Sequence, residues 1–139
     1  MSTLSMNQRE REEFLADVHI GVLAVGRDGE APLSTPVWYR YADGVVEIVT
    51  VATTRKVALL RKRPAASLCV QRETYPPAYV TVEGEVSIEP LPEGAVADIA
   101  SRYLGPEGGA AFASISEDDT LLRLQIKTWR TSDFAKLGS

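Results

Sequence analysis

Ile20-Gly21-Val22-Leu23-Ala24-Val25, followed by Asp28-Gly29, by the segment Ala31 to Tyr41, and by Asp43-Gly44-Val45-Val46-Glu47-Ile48-Val49-Thr50, decides the fold of this chain. The first run is continuously apolar and too short for a helix between turn signals, so it predicts a strand. Asp-Gly supplies a residue pair suited to positive φ, and the first such pair predicts a type I′ hairpin. The second Asp-Gly repeats the signal eleven residues after Pro32, making a meander of consecutive antiparallel strands. Pro32 and Pro36 remove two ladder donors from the middle strand, which places it at an edge or a break.

Outward from that meander, Ser5-Met6-Asn7-Gln8 predicts a capped helix from Arg9 to about Asp17, with Phe14 and Leu15 turned to the core. Strands are expected at about Ala66–Arg72 and Ala78–Glu89, either side of Tyr75-Pro76-Pro77. In the second, Val80, Val82, Val86 and Ile88 alternate with Tyr79, Thr81, Glu83, Glu85 and Ser87. Pro92 suits the first turn of a helix through Tyr103 that Gly105 closes, Gly108–Ala113 suits a further helical turn, and Thr120–Thr131 alternates as a last strand. About six antiparallel strands with short flanking helices describe a mainly β protein, a closed or split β-barrel in meander or Greek-key order. The strands lie too close together for parallel crossovers, and the 139 residues suit one domain, 1–139.

The segment Thr53 to Pro64 reads as one short helix with a threonine cap, apolar Val57, Leu59 and Leu60, and a proline stop. Arg61, Lys62 and Arg63 complement the helix dipole at its carboxyl end. Arg55 and Lys56 do not: a cation in the first turn costs about 0.3–1 kcal/mol unless an anion lies among the free N–H groups. Phosphate resolves that conflict; a solvated surface charge pair is the alternative reading.

Composition removes whole classes of function. A formal net charge of −4 argues against nucleic acid as the partner. No apolar run approaches a membrane span, and Met1-Ser2-Thr3-Leu4-Ser5 lacks the pattern of a signal peptide, so a cytoplasmic place is expected. The single cysteine, Cys69, and single histidine, His19, leave no cysteine-based zinc site, disulfide framework or hydrolytic constellation; Cys69 is expected to be a buried structural thiol and His19 a structural or surface residue. No metal ligands and no catalytic acid or base are assigned. G-x-S-x-G, P-loop and G-x-G-x-x-G motifs are all missing.

Order and spacing of several segments add a resemblance. They are Gly21-Val22-Leu23-Ala24-Val25 with Asp28-Gly29, Ser34-Thr35-Pro36-Val37-Trp38-Tyr39, Asp43-Gly44, Thr54-Arg55-Lys56 with Leu60-Arg61, Pro64, Ser67-Leu68-Cys69-Val70 and Tyr79-Val80-Thr81-Val82-Glu83-Gly84. Together they resemble the pyridoxamine 5′-phosphate oxidase-like split-barrel superfamily, and within it the flavin/deazaflavin oxidoreductase branch that uses coenzyme F420. The resemblance implies a homodimer with two cofactor sites at its interface, and a small-molecule acceptor as the other partner. It implies that Thr54, Arg55 and Lys56 hold the cofactor phosphate, that Thr35, Pro36, Val37 and Trp38 run along the ring, and that Thr50 lies near the phosphate or ribityl chain. Tyr79, with Trp129 or Arg130, is expected from the second subunit. Three functions follow as alternatives: an F420-dependent oxidoreductase passing hydride to an unsaturated organic acceptor, an FMN-dependent oxidase or reductase, and a non-catalytic carrier or sensor of such a cofactor.

Overall fold

The computed structural model describes residues 3 to 138. Helix α1 spans Gln8–Ala16, and strands β1 to β4 span Gly21–Arg27, Glu30–Val37, Arg40–Ala42 and Val45–Thr50. Helix α2 covers Arg55–Lys62, β5 Ala65–Arg72, β6 Ala78–Pro90, α3 Ala95–Ile115 and β7 Thr120–Asp133, before a final 3-10 turn at Phe134–Gly138. The seven strands form one antiparallel sheet in the order β2-β1-β5-β6-β7-β4-β3.

The two outermost strands, β2 and β3, are consecutive in sequence and separated only by Trp38 and Tyr39. Three Cα steps span at most ~11 Å, so the sheet must curl until its edges nearly meet. That is the split barrel. Alternation then sends one face of every strand inward: Leu23 and Val25, Val46 and Ile48, Leu68 and Val70, Val80 and Val82, Leu122 and Leu124 are all buried in one core. Leu15 from α1 and Val57 and Leu60 from α2 join it. Each such side chain contributes roughly 1.5–3 kcal/mol through its removal from water.

Seven strands replace the expected six because the segment 31–41 is two strands, not one. Tyr39 leaves the ladder: its N–H donates to the Tyr103 hydroxyl at 3.0 Å and its carbonyl accepts from Arg102 Nε at 3.1 Å. Its buried hydroxyl donates to the Leu15 carbonyl at 2.6 Å, tying the break to the end of α1. Burial raises that phenol well above its ordinary pKa, and it stays neutral.

Other expectations are corrected in detail. The cap of α1 is Asn7, not Ser5: Asn7 Oδ1 accepts from Glu10 N, and Glu10 Oε1 accepts from Asn7 N. The Asp43-Gly44 turn has φ of 49° and 80°, as type I′ requires, whereas at Asp28-Gly29 only the glycine takes positive φ. A register shift between Val25 and Arg27 absorbs the difference there. Helix α3 starts at Ala95 after a left-handed Gly94, later than Pro92, and is broken at Gly105, where φ is 79° and ψ 169°. Gly105 thus does end a helix, and Pro106 opens a second helical stretch longer than the expected turn. Cys69 is half-buried on the outer face of β5, paired with Val22 and Thr81, and is not part of the core.

Candidate functional site

Edge strand β2 runs past the end of β4 and the start of α2, and the first half of α3 lies across them. Val96, Ile99 and Ala100 recur at i, i+3 and i+4, so one face of that helix is apolar and turned inward. Between these elements lies a cavity of ≈ 210 Å³ lined by Thr35, Pro36, Val37, Trp38, Val49, Thr50, Lys56, Val96, Ile99, Ala100, Phe112 and Asp118. A second hollow of ≈ 260 Å³ adjoins it, sharing Pro36, Val37, Trp38 and Phe112 and adding Ile20.

The lining divides by chemistry. At one end the Trp38 indole lies on the Tyr103 ring, centroids 4.9 Å apart, and Phe112 tilts against it at 5.2 Å. This end is flat and apolar, suited to a planar ring. At the other end are Thr50, buried at the end of β4, Lys56 and Asp118. Burial lowers the Lys56 ammonium from its ordinary pKa, while the nearby Asp118 charge opposes that shift. Among the described residues Lys56 makes no hydrogen bond and no ion pair, so a half-buried cation faces the cavity with only the Asp118 charge acting on it at longer range. Lys56 also belongs to the first turn of α2, which holds no acidic residue and no side-chain cap. An anion in the cavity would meet both the ammonium and the positive end of the helix.

Thr35, Pro36, Val37, Trp38, Thr50 and Lys56 are thus brought to one place; Thr54 and Arg55 lie outside the lining, and Tyr79 is the residue expected from a second subunit. Thr54 stands at the N-cap, but its hydroxyl donates to the Val51 carbonyl at 2.9 Å and does not cap the helix. Arg55 points outward: its side chain is 62% exposed and lies 3.9 Å from Glu30. A helix places neighbouring residues about 100° apart around its axis, and here Lys56 is the one of the two cations turned to the cavity. Tyr79 is 41% exposed on β6, away from this cavity, and pairs in register with Ser132. Trp129 packs within its own chain, under the Arg11 guanidinium at 4.7 Å and edge-on to Tyr41 at 6.0 Å. Arg130 lies 3.3 Å from Glu83. His19 stacks on Phe14, its Nε2 2.9 Å from the Phe14 carbonyl, a structural position.

Sequence reasoning missed Val49, Val96, Ile99, Ala100, Phe112 and Asp118. The apolar spacing of Val96, Ile99 and Ala100 did signal a covering helix. Nothing local marked Asp118 within the acidic run Glu117-Asp118-Asp119.

A larger concavity, ≈ 680 Å³, lies elsewhere, along Gly26, Arg63, Ser67, Glu83, Glu85 and Lys127. It is open, and its cations are already paired, Arg63 with Asp28 and Lys127 with Glu85. It offers a ligand less than the smaller cavity does. No helix among the described residues is long and apolar enough to cross a membrane.

The family profile described as pyridoxamine 5′-phosphate oxidase matches residues 8–133. Among solved structures, the conserved hypothetical protein Rv2991 of Mycobacterium tuberculosis is similar with a TM-score of 0.82 at 28% identity, covering 100% of this chain and 92% of its own. An F420 reductase aligns with a TM-score of 0.72 at 22% identity over 91% of this chain and 98% of its own. An FAD-binding protein of Mesorhizobium loti aligns with a TM-score of 0.61 at 18% identity over 91% and 94%. At the last two identities the likeness is one of fold. No curated protein matches the chain.

Proposed function

Because the chain belongs to the pyridoxamine 5′-phosphate oxidase family, we propose that it is an oxidoreductase that binds coenzyme F420 in the cavity beneath α3 and reduces an unsaturated organic acceptor. The observation that carries this reading is Lys56, a half-buried, unpartnered cation at an uncapped helix start, beside a flat apolar wall. That donor set fits a phosphate at one end of a ligand and a planar ring at the other.

When bound and reduced, the deazaflavin would supply a hydride, two electrons with one proton, to the acceptor, which takes up a second proton to complete the reduction. The chain's residues bind, orient and shield. Lys56 and the N–H groups of the first turn of α2 hold the phosphate. Thr50 and Thr35 offer hydroxyls to the polyol chain. Pro36, Val37 and Trp38 border the ring, and a proline suits an edge strand that turns toward a ligand rather than a neighbouring strand. Ile99, Ala100 and Phe112 keep water from the apolar end. No side chain is assigned as acid or base.

The ≈ 210 Å³ cavity and the ≈ 260 Å³ hollow beside it reach only the lower part of the roughly 300–1,000 Å³ usual for a cofactor-sized ligand, so in this reading one chain leaves part of the ligand uncovered. A second copy completes the site in this proposal, and Tyr79, exposed and outside its own chain's cavity, is a residue it could bring. The fold shared with an F420 reductase favours F420. So does the basic run Arg61-Lys62-Arg63, exposed roughly 10 Å along α2 from its start, within reach of an anionic tail beyond the phosphate. FMN is the second reading, because ring, polyol and phosphate are common to both cofactors.

The test is retention. The purified protein is mixed with equal amounts of F420 and FMN, passed through a desalting column, and the absorption spectrum of the retained fraction is recorded. Retained F420 supports the proposal, retained FMN moves it to the flavin branch, and a colourless protein contradicts it.

A further inference from the structure

Lys56 is not the only charge that faces the cavity without a partner. Asp118 lines the same space from the segment between α3 and β7. Among the described residues its carboxylate makes no hydrogen bond and no ion pair, and it stands more than 4 Å from the Lys56 ammonium although its charge acts on that group. The segment that carries it is pinned. Asp119 Oδ1 accepts from Ala52 N at 2.8 Å, Asp119 N donates to the Thr50 carbonyl at 3.1 Å, and Asp118 N donates to Ser116 Oγ at 3.1 Å. These bonds fasten it over the junction of β4 and α2, so the carboxylate is held at the polar end of the cavity.

Two opposite charges, each half-buried, thus face one cavity with no hydrogen bond or ion pair joining them, which leaves both open to a ligand. A bare phosphate meets only one: Lys56 attracts it and Asp118 repels it. A phosphate joined to a chain bearing hydroxyls meets both, since a hydroxyl donates to the carboxylate while the phosphate accepts from the ammonium. We propose that Asp118 is a specificity-determining residue that accepts a hydrogen bond from a hydroxyl of a phosphorylated polyol whose phosphate lies at Lys56. The pair thereby selects a polyol phosphate over a simple anion. This rests on the cofactor reading above and assigns a residue to it.

Asp118→Ala and Asp118→Asn are compared with the parent protein by calorimetric titration with F420, FMN and inorganic phosphate, thermal melts confirming that each variant is folded. Removing the carboxylate should weaken the better-bound cofactor by about ten- to a hundredfold. It should at the same time strengthen inorganic phosphate binding a few-fold, because the repulsion is gone. Asp118→Asn, which keeps an acceptor but not the charge, should lose less cofactor affinity and gain the same phosphate affinity. Cofactor affinity that is unchanged or raised in a folded variant overturns the inference, as does a change of the same sign for cofactor and phosphate. Failure of the parent protein to bind either F420 or FMN overturns the cofactor reading itself, and this inference with it.

Discussion

The Trp38 indole lies nearly parallel to the Tyr103 ring, centroids 4.9 Å apart and planes 10° from one another. The Tyr103 hydroxyl in turn donates to the His19 carbonyl at 2.7 Å and accepts from Tyr39 N at 3.0 Å. One side chain of α3 therefore holds the gap between β2 and β3 open and orients the flat wall of the cavity. Tyr103→Phe keeps the stack and deletes both hydrogen bonds, leaving the Tyr39 N–H without its acceptor. We expect a stability loss of about 1–3 kcal/mol by urea denaturation. A loss below about 0.5 kcal/mol would mean that the break in the sheet is held by packing alone.

Gly84 sits at the register shift in β6, where an added Cβ would lie 1.8 Å from the Gln125 carbonyl oxygen. That neighbour is ladder backbone and cannot yield as a flexible side chain does. Gly84→Ala should destabilise the fold by more than about 3 kcal/mol or abolish soluble expression. A variant with a parental melting temperature would show that the bulge is not required.

Glu47 accepts from Arg40 Nε at 2.7 Å and from Arg123 Nε at 2.9 Å, bridging β3, β4 and β7. Burial alone would raise its carboxyl, but the two guanidinium groups outweigh it and the pKa falls below the ordinary carboxylate value. A depressed folded-state pKa means that the carboxylate's contribution is present above the unfolded-state pKa and is lost as pH falls through the folded one. Glu47→Gln should therefore cost about 1–2 kcal/mol at neutral pH. The gap between variant and parent should close in acid below the ordinary carboxylate range. A gap that is constant with pH would assign the effect to packing.

How much of this was legible in the sequence depends on distance along the chain. Asp43-Gly44 announced its turn because positive φ at two adjacent positions demands those residue types, and the alternation of Val80, Val82 and Val86 announced the inward face of β6. Even the unusual start of α2, cationic and without an acidic residue in its first turn, was readable from Arg55 and Lys56. Which cation faces inward was not, because that depends on how α2 is rotated against β1 and β6, and Arg55 proved to face outward. Phe112 and Asp118 were invisible for a stronger reason. They reach Trp38 and Lys56 only because the barrel curls and α3 folds back over its open edge, and no local pattern encodes that approach.

The proposed cofactor site takes a second copy of the chain to complete it. The protein should run as a homodimer by light scattering at micromolar concentration, with an interface above roughly 2,000 Å². A stable monomer that binds cofactor at full affinity would remove the second copy from the site.

The measurement closest to the central claim is calorimetric titration of F420 and FMN into the parent protein, Lys56→Ala and Arg55→Ala. Lys56 faces the cavity without a partner, and Arg55 is exposed beside Glu30. Losing Lys56 should cost about 1.5–3 kcal/mol of binding to the preferred cofactor, the range for a charge-assisted hydrogen bond, and losing Arg55 less than about 1 kcal/mol. Equal affinity in Lys56→Ala and parent, or no saturable binding of either cofactor to the parent, would contradict the assignment of this cavity as the cofactor site.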